Sequence, residues 1–116
     1  MQKRYLKIVS IWSMLLFLTV GLSACKRIKK EYVSYQATKA HDKGNFKTAI
    51  EKYKKVLEDN PQDASLQYNL GVAYIYNKQT DKAKQQVKIL IDMKNEDYAK
   101  ILQQLIDQSE ENASKE

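Results

Sequence analysis

Side chains able to do chemistry are few and scattered in this chain of 116 residues. Cys25 is the only cysteine, which excludes an internal disulfide and a cysteine-based zinc site, since both need more than one sulfur ligand. His41 is the only histidine, and a lone histidine of this kind is typical of a solvated polar position. The three glycines lie too far apart in sequence to form a phosphate-binding loop. We therefore expect no catalytic site, no cofactor and no metal, and predict that the protein is not an enzyme.

The positive charge of the chain is concentrated near its N-terminus. The net charge is +6, and three of the 20 bases precede Cys25 while none of the acids does. From Cys25 onward the chain has 17 bases and 14 acids. Four of those bases directly follow the cysteine: Lys26, Arg27, Lys29 and Lys30. The rest of the chain is close to neutral, which argues against nucleic-acid binding.

The N-terminal segment has the organisation of an export signal. Lys3, Arg4 and Lys7 precede the uncharged, mostly apolar run Ile8–Val20. This run of 13 residues is shorter than the roughly 20 residues that span a bilayer as a helix. Small residues follow it in Leu22-Ser23-Ala24-Cys25, where they would let the backbone enter a peptidase site.

Leu22-Ser23-Ala24-Cys25 resembles the lipobox of bacterial lipoproteins at all four positions. The resemblance implies a signal peptide over residues 1–24, transfer of a diacylglyceryl group with fatty acids such as palmitate to the Cys25 sulfur, and cleavage before Cys25. It also implies a lipid-anchored protein of the cell membrane or outer membrane, facing the periplasm or the outside of the cytoplasmic membrane. An uncleaved anchor remains open, because the uncharged stretch Ile8–Cys25 has 18 residues.

Residues 25–30 would then be the lipidated cysteine and a basic linker. The bases near anionic lipid would each add on the order of 1 kcal/mol to membrane binding. A solvated linker is the alternative, and the sequence leaves the two interpretations open.

The body of the chain repeats itself with an offset of 34 residues. The offset aligns small or apolar residues at helical spacings. The aligned pairs are Ala37 with Gly71, Ala40 with Tyr74, Ala49 with Ala83, Tyr53 with Val87, and Val56 with Leu90.

This pattern resembles the tetratricopeptide repeat, a pair of antiparallel helices A and B. Repeat 1 covers about 30–63, with Ala49-x₃-Tyr53 on helix B, and repeat 2 covers about 64–97, with Leu70-Gly71-x₂-Tyr74 on helix A. Gln67, Lys78, Thr80 and Asn95 depart from the family pattern. The resemblance implies an all-α fold, a short right-handed α-solenoid of about two repeats plus a C-terminal capping helix.

Local signals agree with this organisation over residues 31–108. Gly44 and Asn45 predict a helix end followed by a helix N-cap, and Asp63 predicts the next N-cap. We expect a capping helix over about 97–108 and a disordered tail over 109–116. The capping helix would bury one face, formed by Tyr98, Ile101, Leu102, Leu105 and Ile106.

The family resemblance also implies a concave groove, lined by the A helices, in which a protein partner lies as a peptide or helix. It places nine residues there: Ser34, Tyr35, Thr38, His41, Tyr68, Asn69, Val72, Ile75 and Tyr76. In repeat 2, apolar residues lie on nearly every side of helix A. Either neighbouring helices bury them or they form an exposed aromatic strip that a partner covers.

These features predict a membrane-anchored adaptor or assembly factor of the bacterial cell envelope. The alternative is an envelope lipoprotein that binds a glycan or lipid without a protein partner, since tyrosines such as Tyr68 and Tyr76 stack on sugars. Two repeats are fewer than a self-sufficient stack needs, so a partner or a second copy in a homo-oligomer would complete the domain.

Overall fold

A computed structural model of the chain describes residues 2–116, with side chains from Lys3 onward. It contains five α-helices: α1 Gln2–Asp42, α2 Phe46–Asp59, α3 Ala64–Tyr76, α4 Thr80–Asp92 and α5 Glu96–Ser114. No β-strand occurs between residues 2 and 116. The all-α prediction of paired repeat helices followed by a fifth helix is therefore confirmed.

The chain divides into two units, Met1–Tyr32 and Val33–Glu116. The first is helical, and its apolar side chains from Tyr5 to Leu22 are exposed. The basic segment 25–30, expected as a linker, is helical here as part of α1, since no glycine or proline interrupts it. The second unit contains the repeats, with α3 packed against α2, α4 and α5.

Three helices of the repeat unit end with the same capping geometry. Gly44 has a φ of +74°, and its amide donates to the His41 carbonyl at 2.8 Å while the next amide reaches back to Ala40 at 2.9 Å. Lys78 and Lys94 adopt the same left-handed conformation at φ 59° and 57°. These hydrogen bonds satisfy carbonyls that the helix end leaves unpaired.

The predicted N-caps are confirmed. The amide of Thr48 donates to the Asn45 side chain at 3.3 Å, and the amide of Leu66 donates to the Asp63 carboxylate at 3.1 Å. Gln67, which replaces the family's tryptophan, is buried and donates its side-chain amide to the Pro61 carbonyl at 2.9 Å. The substitution therefore exchanges an aromatic contact for a hydrogen bond that ties α3 to the turn before it.

We expect Lys78→Gly to stabilise the repeat unit by about 1 kcal/mol, because glycine adopts a positive φ without the steric cost that a lysine side chain carries. Urea denaturation followed by circular dichroism measures the change. Lys88→Gly, at an exposed position in the interior of α4, is the matched control and should destabilise the unit by about 1 kcal/mol. Equal effects of the two substitutions would contradict this explanation.

The core lies between the repeat helices and α5. Its largest fully buried side chains are Tyr53, Leu90, Leu102 and Ile106. At Gly71 α3 lies close to its neighbours, because a Cβ atom there would clash with Leu102 and lie 3.3 Å from the Cβ of Gln86. The glycine therefore allows α3 to approach both α4 and α5.

The end of the chain differs from the prediction. Residues 109–114, expected to be a disordered tail, continue α5 to Ser114, and the helix begins at Glu96. The Lys84 ammonium contacts the Glu110 carboxylate at 2.6 Å and ties this last part of α5 to α4. A second ion pair joins Lys115 to Glu111 at 2.7 Å. The expected capping helix over 97–108 is therefore too short at its C-terminal end.

The buried face of α5 also differs in part from the prediction. Ala99, Leu102 and Ile106 are buried, whereas Ile101 is 45% exposed. The spacing of the three buried residues sets the stripe that faces α3 and α4, and Ile101 falls outside it.

Candidate functional site

The repeat unit contains an open cleft of about 540 Å³ between α3 and the C-terminal half of α5. From α3 it is lined by Val72, Ile75 and Tyr76, and Lys78 and Thr80 follow at one end. From α5 and the residues after it, the lining consists of Leu105, Gln108, Ser109, Glu110, Asn112, Ala113 and Glu116. Apolar surface exceeds polar surface in this cleft, so it suits apolar side chains of a ligand.

A cluster of three rings supports one wall of the cleft. Tyr76 stacks on Phe46 with ring centroids 5.1 Å apart, and His41 lies 5.2 Å from Phe46 and 5.5 Å from Tyr76. The ends of α1 and α3 and the start of α2 meet here. Tyr76 nevertheless remains 60% exposed, so its ring is held in place while much of its surface faces solvent.

The structure brings together four of the nine groove positions derived from the family. Val72, Ile75 and Tyr76 line the cleft, and His41 contacts Tyr76. Tyr68 instead stacks on Tyr98 of α5 with centroids 5.2 Å apart and is half-buried. Asn69 is half-buried and is not part of the cleft lining. A neighbouring helix therefore buries part of Tyr68, whereas Tyr76 remains exposed. The two alternatives for the apolar residues of helix A in repeat 2 thus each apply to one of these tyrosines.

The remaining positions of repeat 1 lie outside the cleft lining. The Thr38 hydroxyl donates to the Ser34 carbonyl at 3.1 Å, and its oxygen lies 3.4 Å from the Tyr53 hydroxyl. The Ser34 hydroxyl is buried and has no hydrogen-bond partner among the described residues. Tyr35 is exposed, with the Lys39 ammonium 5.8 Å from the centre of its ring. Ser34, Tyr35 and Thr38 are therefore not part of this cleft.

The contribution of α5 to the cleft was not predicted from the sequence. Leu105, Ser109 and Ala113 recur every four residues and lie on one side of α5, where they line the cleft. This spacing was available in the sequence, but the polar composition after residue 108 favoured disorder.

Two side chains of the repeat unit have shifted pKa values. The hydrogen bond that Lys84 donates to Glu110 raises the pKa of the Lys84 side chain above its usual value. Burial raises the pKa of the Tyr74 phenol, which therefore remains protonated. Among residues 2–116, no group of three or more His, Cys, Asp or Glu side chains could hold a metal ion. The cleft is suited to binding through shape and apolar contact.

The predicted lipidation residue lies in the first unit. Cys25 is a free, exposed thiol on α1. The helix that carries it is long and apolar enough near the N-terminus to cross a membrane, a test that signal sequences also pass.

The sequence pattern of a protein family described as "surface lipoprotein assembly modifier, N-terminal TPR repeats" matches residues 30–87, half of the chain. The chain belongs to this family. The tetratricopeptide prediction is thereby confirmed, and the family's description supports an association with the bacterial envelope. The lipobox lies outside the matched residues.

The chain also resembles part of a eukaryotic protein. The chain is 39% identical over 59 residues to the BBSome complex member BBS4 of Bos taurus. The alignment covers 51% of this chain but 11% of that protein, so the chain spans about a tenth of the length of this relative. No solved structure matches the chain significantly.

Proposed function

We propose that this chain is a lipid-anchored adaptor or assembly factor of the bacterial envelope. In this proposal lipid on Cys25 holds it at a membrane, and the cleft between α3 and α5 binds a protein partner, without catalysis. The observation that carries the proposal is Tyr76, which is exposed and stacked on Phe46 at an apolar cleft, in a chain that belongs to a lipoprotein-assembly family.

Tyr76 has the properties of a binding hot spot. Residues that contribute most to protein–protein affinity are often aromatic and lie where a partner excludes water. Stacking on Phe46 restricts the ring before binding, so little side-chain freedom remains to be lost when a partner covers it. Val72 and Ile75 extend the apolar surface beside it.

The proposed partner is a segment of protein with apolar side chains, laid along the cleft as a peptide or helix. The cleft is bounded mainly by two helices, α3 and α5, and is open to solvent. An amphipathic helix fits such a groove with residues at spacings of three and four. The family's description makes proteins of the surface lipoprotein assembly machinery, or their lipoprotein substrates, the first partners to test.

A bound partner would also stabilise the repeat unit. A domain of this size buries a modest core and is marginally stable alone. Apolar side chains left exposed at the cleft, such as Tyr76, would be covered in a complex or in a homo-oligomer. We therefore expect the thermal stability of the chain to rise when its partner is bound.

Tyr76→Ala is expected to weaken partner binding by about 2 kcal/mol, roughly thirtyfold in Kd, because it removes the aromatic contact in the cleft. Quantitative co-purification from detergent-solubilised membranes measures the loss. Ile91→Ala is the matched control, since Ile91 is 54% exposed and lies outside the cleft lining. Circular dichroism of both variants checks that the helices are retained.

Two results would contradict the proposal. One is equal recovery of the same partner with Tyr76→Ala and Ile91→Ala. The other is recovery of the protein alone, together with thermal stabilisation by glycan or lipid fragments that Tyr76→Ala abolishes. That second result would favour binding of a glycan or lipid without a protein partner.

A further inference from the structure

The part of α1 that follows Cys25 has an exposed face of mixed aromatic and aliphatic character. Cys25, Ile28 and Tyr32 follow the spacing i, i+3, i+7, so they fall within about 60° of one another around the helix. All three are exposed, Tyr32 at 61%. Exposed apolar side chains on one face of a helix need another explanation than core packing.

Bases border this face. Lys29 lies about 40° and Lys26 about 100° from Cys25 around the helix, and both are exposed. No Asp or Glu occurs before Glu31, so the segment carries positive charge alone up to that position. Apolar residues, an interfacial aromatic and neighbouring lysines on one helix form the pattern of a surface that lies at an anionic lipid interface.

We propose that the helical segment Cys25–Tyr32 is a second membrane contact, which lies in the headgroup region of an anionic bilayer. This inference rests on the proposed lipidation of Cys25. The eight residues from Cys25 to Tyr32 extend about 10 Å along the helix, and the headgroup region is roughly 5–8 Å deep, so an oblique helix keeps Ile28 and Tyr32 within it.

Each part of the segment has a separate role in this contact. Acyl chains on Cys25 hold the first turn of the segment against the hydrocarbon core. The Ile28 side chain lies at the boundary between headgroups and acyl chains. Tyr32 takes the interfacial position that tyrosine favours, with its hydroxyl toward water. Lys26 and Lys29 bind lipid phosphates, each strengthening attachment by about fivefold on an anionic surface.

A tryptophan placed at position 32 reports this contact directly. Trp12, the only tryptophan of the chain, lies before Cys25, and a Trp12→Phe background keeps the reporter unique whether or not the signal peptide is removed. Tyr76→Trp is the matched control, because Tyr76 and Tyr32 are 60% and 61% exposed. Lipidated protein of verified mass is reconstituted into phosphatidylcholine vesicles with brominated acyl chains, with and without phosphatidylglycerol.

We expect the emission of Tyr32→Trp to shift to the blue and to be quenched by the brominated lipid, and that of Tyr76→Trp to be unchanged. Phosphatidylglycerol should increase both effects on Tyr32→Trp. Adding Lys26→Gln and Lys29→Gln should remove that increase while the protein stays on the vesicles. Emission of Tyr32→Trp quenched no more than that of Tyr76→Trp, on protein that carries the lipid, would overturn this inference and leave the proposed function intact. Absence of lipid on Cys25 would overturn both.

Discussion

Cys25→Ala is expected to abolish incorporation of radiolabelled fatty acid into the protein. The Cys25 sulfur is the only thiol of the chain and is exposed on α1, so no other side chain can form the thioether that the lipobox implies. The variant should also keep residues 1–24, because the cleavage expected before Cys25 follows lipid transfer. Labelling and the mobility of the protein on a denaturing gel measure both effects.

Ser23→Ala is the control for this experiment, since it alters the same segment and retains a small residue beside the cleavage site. It should be labelled and shortened like the unchanged chain. The alternative of an uncleaved anchor makes the opposite prediction, a chain of full length without label whether or not Cys25 is present. Labelling that persists after Cys25→Ala would contradict the lipid attachment at this residue.

Leu102→Ala is expected to destabilise the repeat unit by about 2–5 kcal/mol, which is comparable to the whole stability of a small domain. Leu102 is fully buried on α5 and packs against Gly71 of α3, so its removal leaves a cavity where three helices meet. Urea denaturation followed by circular dichroism, on the chain that begins at residue 26, gives the free energy of unfolding.

Two further variants assign the effect to this contact. Ile101→Ala, on the same helix but 45% exposed, should change stability little. Gly71→Ala alone should destabilise the unit by about 1–3 kcal/mol, because the new methyl group clashes with Leu102, and less when Leu102→Ala has made room for it. Strictly additive effects, or a Leu102→Ala effect no larger than that of Ile101→Ala, would contradict the packing described.

The helices and their boundaries could be predicted in the repeats because short-range signals determine them. Gly44 ends α1 in a left-handed conformation, and Asn45 and Asp63 accept the amide hydrogens expected of N-caps. Each signal involves residues three or four apart and needs no knowledge of the tertiary structure.

The length of α5 could not be predicted in the same way. Its last part is tied to α4 by the ion pair between Lys84 and Glu110, which are 26 residues apart. Local composition, rich in polar residues, favoured disorder there. The groove was therefore predicted from the A helices alone. The second wall of the cleft includes a part of α5 that was expected to be disordered.

The candidate site was likewise only partly predictable from the sequence. The family resemblance placed Val72, Ile75 and Tyr76 in the groove, and they line the cleft. It also placed Tyr68 there, but Tyr68 stacks on Tyr98 of α5, a pairing that no local rule indicates. Positions of repeat 1 were taken from the family, and the contact of Thr38 with the Tyr53 hydroxyl shows that one of them faces α2.

Photo-crosslinking in living cells tests most directly whether the cleft binds a protein at the envelope. A photoreactive amino acid replaces Tyr76 in one strain and the similarly exposed Ile91 in another. We predict a discrete crosslinked adduct from position 76 that is absent from position 91 and is lost in the Cys25→Ala background. An adduct formed equally from both positions, or none from position 76, would contradict a tethered adaptor.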